Sequence, residues 1–103
     1  MYICDMINEE QIQDYYELSN GEVAAQIGER FCALRSALGL TQKQVAEQSG
    51  VSVMTIVRFE KGQGNAIRLN NLIALMRAIQ RLDDIVELVP EMPPSLYHKT
   101  RKR

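Results

Sequence analysis

Apolar residues recur along most of the chain at helical rather than alternating spacing. Between Ser19 and Gly39 they fall at Val23, Ile27, Phe31, Leu34 and Leu38, three or four residues apart, which places them on one face of an α-helix. Ser19 and Glu22 ahead of them have the spacing of a capping box, and Gly39 is a stop signal. The pattern therefore predicts a helix that starts after Ser19, buries those five residues and ends at Gly39. Thr41 and Gln44 repeat the capping-box spacing, Val45 and Ala46 supply the apolar turn, and Gly50 ends a helix near residues 42–49. A third helix near 53–61 follows Ser52, a second cap residue. Ile56 and Phe59 point inward in it, while Met54, Val57, Arg58 and Lys61 form the opposite stripe.

Gly62-Gln63-Gly64-Asn65 reads as a loop. A fourth helix is expected from about Leu69 to Gln80, burying Leu72, Leu75, Met76 and Ile79. A short fifth covers about Leu82 to Leu88, with Ile85 and Val86 apolar, and Asp83 and Asp84 suit its first turn through the helix dipole. Residues 84–89 equally fit a strand pairing across a dimer, because Ile-Val-x-Leu-Val also satisfies a β pattern. A short helix or an arm is expected near 8–17. Pro90, Pro93 and Pro94 end regular structure, and the tail beyond them is expected to be disordered when unbound. The fold class is all-α: a compact bundle of about five helices at 19–89, with an N-terminal extension at 1–18 and a proline-containing basic tail at 90–103.

The segment from Leu40 to Gly62 carries the most information. Cap, small alanine, glycine, apolar plug at Val51 and second cap fall in the order of a helix-turn-helix, at 42–61. That unit presents its second helix to a DNA major groove while the first crosses above the backbone. Val53, Met54, Val57 and Arg58 are then the base-reading candidates. Arg58 has the donors to bond guanine O6 and N7, whereas the other three offer only apolar contact, as to thymine methyl groups. Met54 and Val57 packing on another protein surface is the weaker reading. Backbone contacts are expected from Gln42 and the amides at the start of its helix, with Lys43, Lys61, Gln63 and Asn65 as further candidates and Thr55 touching phosphate or its own helix.

Charge changes the picture. The net charge of −1 hides a segregation. Residues 1–29 carry seven acidic groups and no basic one. Residues 30–81 carry Arg30, Arg35, Lys43, Arg58, Lys61, Arg68, Arg77 and Arg81 against Glu47 and Glu60, a net +6. The basic block coincides with the helix-turn-helix, as an electrostatic footprint for DNA requires. Four more basic residues lie between Lys99 and Arg103. A length of 103 residues, 46% of them apolar, is that of one small domain. No apolar run approaches a membrane span of about 20 residues. The N-terminus lacks the regions of a signal peptide, so a cytoplasmic protein with free thiols is expected. Cys4 and Cys32 have no metal-ligand spacing. His98 is the single histidine, and no nucleophile–base set or phosphate loop accompanies it, so neither catalysis nor a cofactor is expected.

Leu40-Thr41-Gln42, Val45-Ala46, Ser49-Gly50-Val51-Ser52, Thr55-Ile56 and Phe59-Glu60-Lys61-Gly62 resemble the XRE, or phage-repressor-like, helix-turn-helix family, over about Gly21 to Leu88. The resemblance implies a lambda-repressor-like fold. It also implies an ion pair between Arg35 and Glu60 that fixes the first helix against the recognition helix and aims Arg35 towards phosphate. Residues Leu72 to Ile79, Leu82-Asp83-Asp84 and Leu88 to Ser95 look like HipB-type antitoxins, although Gln80 stands where that family usually has glycine. This second likeness implies a repressor that autoregulates its operon and holds a HipA-like kinase toxin. The alternative is a stand-alone transcriptional regulator. Either form needs a homodimer on a palindromic operator, and Leu82, Ile85, Val86, Leu88 and Val89 are the candidate dimer surface.

Overall fold

The computed structural model describes residues 15–63 and 67–92. A 3-10 turn, Tyr15–Glu17, precedes five α-helices: α1 (Asn20–Ala37), α2 (Gln42–Ser49), α3 (Val53–Glu60), α4 (Leu69–Ala78) and α5 (Leu82–Val86). Among the described residues there is no strand. The fold is the all-α bundle of about five helices that the periodicity predicts.

The capping chemistry sets where the helices begin. At α1 the Glu22 amide donates to Ser19 Oγ at 3.1 Å and the Ser19 amide donates to Glu22 Oε1 at 2.8 Å. At α2 the same exchange joins Thr41 and Gln44, at 3.0 and 2.8 Å. Each box satisfies an amide that a helix start leaves without an intrahelical partner. Ser52 caps α3 by accepting from the Thr55 amide at 3.1 Å. Gly50 ends α2 with φ +79°, the left-handed conformation that lets the chain turn sharply between α2 and α3.

One cluster fills the centre: Phe31, Val45, Val51, Ile56, Phe59, Leu75 and Ile79, each at most 6% exposed. Val51 lies in the turn itself and closes it from inside. The Phe31 and Phe59 rings pack tilted, with centroids 5.5 Å apart, and join α1 to α3. α4 covers α2, and α5 leans on α4 with no buried residue of its own.

Several expectations need correction. Ile27 and Leu38 are 42% and 54% exposed. The buried stripe of α1 is Gly28, Phe31, Cys32 and Arg35, rotated from the predicted one. α4 stops at Ala78, because Gln80 turns into the left-handed region (φ +66°) and the Arg81 amide closes back on the Met76 carbonyl. α5 ends at Val86, where the Glu87 and Leu88 amides still bond back in a turn. The strand alternative for 84–89 gives way to that helix and turn. Of the expected N-terminal helix, residues 8–14 lie outside the described residues, as does the tail beyond Met92.

Candidate nucleic-acid interface

α3 packs on α1 and α2 and leaves its other side open. Ile56 and Phe59 are sealed in the core, at 0% and 2% exposure. On the opposite side Met54 is 58% exposed, Val53 42%, Arg58 is exposed and Val57 is half-buried. These four share one face of the helix, and Lys61, also exposed, continues the stripe past its end. The Arg58 side chain is exposed and makes no hydrogen bond or ion pair among the described residues, while its carbonyl accepts from the Gln63 amide at 2.8 Å.

Arg35 and Glu60 fix α3 against α1 at its C-terminal end. Arg35 Nε donates to Glu60 Oε2 at 2.7 Å and Nη2 donates to Oε1 at 2.9 Å, a bidentate pair with both side chains below 10% exposure. Arg35 Nη1 also donates to the Leu40 carbonyl at 2.6 Å, and Nη2 lies 3.6 Å from Cys32 Sγ. Gln42 Nε2 donates to Glu60 Oε1 at 2.9 Å, which brings the start of α2 into the same network. The Glu60 hydrogen bonds raise the Arg35 pKa against the opposing effect of burial, so the guanidinium stays charged. The network joins three helices around one carboxylate.

Arg35 is turned mainly inward, towards the core network. All three of its nitrogens are engaged inward and the residue is 8% exposed. Gln42 is half-buried with its side-chain amide drawn to Glu60, so its backbone amide, beside that of Lys43, is what the start of α2 offers outward. Lys43, Lys61 and Gln63 are exposed. Thr55 is half-buried, and its Oγ1 accepts from Ser52 Oγ at 2.8 Å. Asn65 lies outside the described residues.

The basic block divides by partner. Arg35 is spent on Glu60, Arg81 on Asp84 at 2.8 Å, and Arg30 Nη2 donates to the Tyr15 hydroxyl at 2.9 Å. Lys43, Arg58, Lys61, Arg68 and Arg77 have no ion-pair partner among the described residues. Of these, Arg58 lies on the open face of α3, Lys61 just past its end and Lys43 at the start of α2.

Sequence reasoning missed Gly28. A Cβ there would lie 1.9 Å from the Phe59 carbonyl oxygen, so the backbones of α1 and α3 meet where only hydrogen fits. A glycine inside an otherwise good helical pattern was the available signal.

The helix-turn-helix family profile matches residues 33–84, from the last turn of α1 into α5. The chain belongs to this helix-turn-helix family. An uncharacterized HTH-type transcriptional regulator of Haemophilus influenzae is 32% identical to it over 80 residues, which span 78% of this chain and 81% of the relative. No solved structure matches the chain. Among the described residues of this helix-turn-helix protein, no three or more His, Cys, Asp or Glu side chains form a metal-binding group, and no helix is long and apolar enough to cross a membrane.

Proposed function

We propose that this helix-turn-helix protein is a sequence-specific, DNA-binding transcriptional regulator that acts as a homodimer on a palindromic operator. The observation that carries the reading is the open side of α3, where an unpartnered Arg58 stands among exposed apolar residues on a helix locked from behind. In this docking α3 enters the major groove, with Val53, Met54, Val57 and Arg58 nearest the base edges. Lys43, Lys61, Gln63 and the first amides of α2 hold phosphates, with Thr55 beside them at the start of α3.

One domain spans a single half-site, so specificity calls for two chains on half-sites about 34 Å apart. The dimer surface assigned is the apolar edge of α5 and the turn after it. Val86, Leu88 and Val89 are 69%, 62% and 80% exposed there, with Leu82 and Ile85 half-buried behind them. The test is a fluorescence-anisotropy titration on duplex DNA from upstream of the protein's own gene, against a scrambled duplex of equal length. Preferential binding by two chains per duplex, reduced to weak one-chain binding by Val89→Lys, is the expected result. Equal binding to both duplexes rejects the regulator reading.

Stand-alone regulation accords with the name of the Haemophilus relative. Partnership with a HipA-like kinase toxin, and autoregulation of a shared operon, rest on the resemblance within residues 72–95. Co-purification of the tagged protein with an adjacent kinase-like gene product supports the partnership. Its absence when both genes are expressed together leaves the stand-alone form.

A further inference from the structure

The four side chains on the open face of α3 are unequal in chemistry. Arg58 is the single strong hydrogen-bond donor, while Val53, Met54 and Val57 present hydrocarbon or a thioether. We infer that this face selects thymine 5-methyl groups on base pairs next to the guanine that Arg58 reads. The inference rests on the reading of α3 as the groove helix and adds which bases it accepts.

Guanine and adenine present polar atoms to the major groove and cytosine an amino group beside a bare C5–H, whereas thymine carries a methyl group at that carbon beside its O4 acceptor. An apolar side chain laid on the first three strips water from polar atoms and returns no hydrogen bond, which is unfavourable. Laid on thymine, the same side chain buries a methyl group and gains. Two of the three apolar residues, Val53 and Met54, are 42% and 58% exposed, so there is surface to bury. Arg58 on that face and Lys61 just past its end have no ion-pair partners among the described residues, which favours a polyanion over an apolar protein face as the occupant.

Spacing sets the register. Met54 stands one turn before Arg58 on the same face, and Val57 is its neighbour in sequence. One turn rises about 5.4 Å, against about 3.4 Å between base pairs, so the methyl and guanine contacts fall within one or two steps of each other. The assigned half-site core is a guanine flanked by thymine.

The test begins with selection from a random duplex pool. The enriched motif is then resynthesised with deoxyuridine in place of thymidine, which keeps O4 and base pairing and removes only the methyl. The unsubstituted protein should bind the uracil duplex more weakly, by about fourfold for each contacted methyl removed. Met54→Ala, checked for an unchanged circular dichroism spectrum, should bring the thymine-to-uracil affinity ratio closer to one. Equal affinity for the two duplexes overturns the inference and leaves the regulator reading intact. An enriched motif with no thymine near its guanine overturns it as well. An unchanged ratio in Val53→Ala, Met54→Ala and Val57→Ala alike assigns the methyl effect to DNA shape and also overturns it. A selection that enriches no motif overturns both the inference and the reading beneath it.

Discussion

Gly28→Ala sets two opposing effects against each other, and the structure decides which wins. In an isolated helix alanine is favoured over glycine by about 1 kcal/mol. At this position the added Cβ would stand 1.9 Å from the Phe59 carbonyl oxygen and 3.0 Å from its carbon. Carbon and oxygen do not approach so closely, so α1 and α3 must separate by about 1 Å. The obstacle is main chain, not a side chain that can rotate away. Overpacking costs about 1–3 kcal/mol, and a backbone obstacle puts this case near the top of that range. The net expectation is a loss of about 2 kcal/mol, or about 10 °C in melting temperature for a domain of this size. Thermal unfolding followed by far-ultraviolet circular dichroism measures it. Gly39→Ala is the control: nothing lies within 4 Å of its Cβ, but φ is +74°. It should cost about 1 kcal/mol through backbone strain alone. A Gly28→Ala protein that melts at or above the parent temperature refutes the close approach of α1 and α3, and with it the account of how α3 is held.

Two more substitutions probe the same frame. Glu60→Gln keeps the shape of the side chain but places an amide where three donors converge. It leaves Arg35 buried without its counter-charge, and should cost about 3 kcal/mol in a urea-unfolding experiment. Gln80→Gly relieves the one non-glycine residue with positive φ among the described residues, and should raise stability by about 1 kcal/mol in the same assay.

The fold was legible because capping and periodicity agreed. Ser19 with Glu22 and Thr41 with Gln44 fixed two helix starts, and Gly50 with Val51 fixed the turn between α2 and α3. The face of α1 was misread for a physical reason. Its buried stripe contains a glycine and an arginine, at Gly28 and Arg35, which a hydrophobicity count scores as a breaker and a surface charge. The counted stripe therefore rotated onto Ile27 and Leu38. Arg35 became burial-tolerant through Glu60 at the end of α3 and the Leu40 carbonyl in the loop after α1, partners outside its own helix that periodicity does not register. The exposed stripe of α3 was legible since Ile56 and Phe59 dictate which way the rest must point. The end of α4 was not, because the residue that takes the left-handed turn there is Gln80 and not a glycine.

In the proposed docking Arg58 reads a base while Lys61 holds phosphate. Salt-dependent binding of the parent, Arg58→Ala and Lys61→Ala proteins, on a selected and a scrambled duplex, tests it most directly. Arg58→Ala should lower the preference for the selected duplex by about 1–3 kcal/mol, and Lys61→Ala should weaken binding to both duplexes alike and reduce the salt slope by about 1. An Arg58→Ala protein with undiminished preference for the selected duplex contradicts the account.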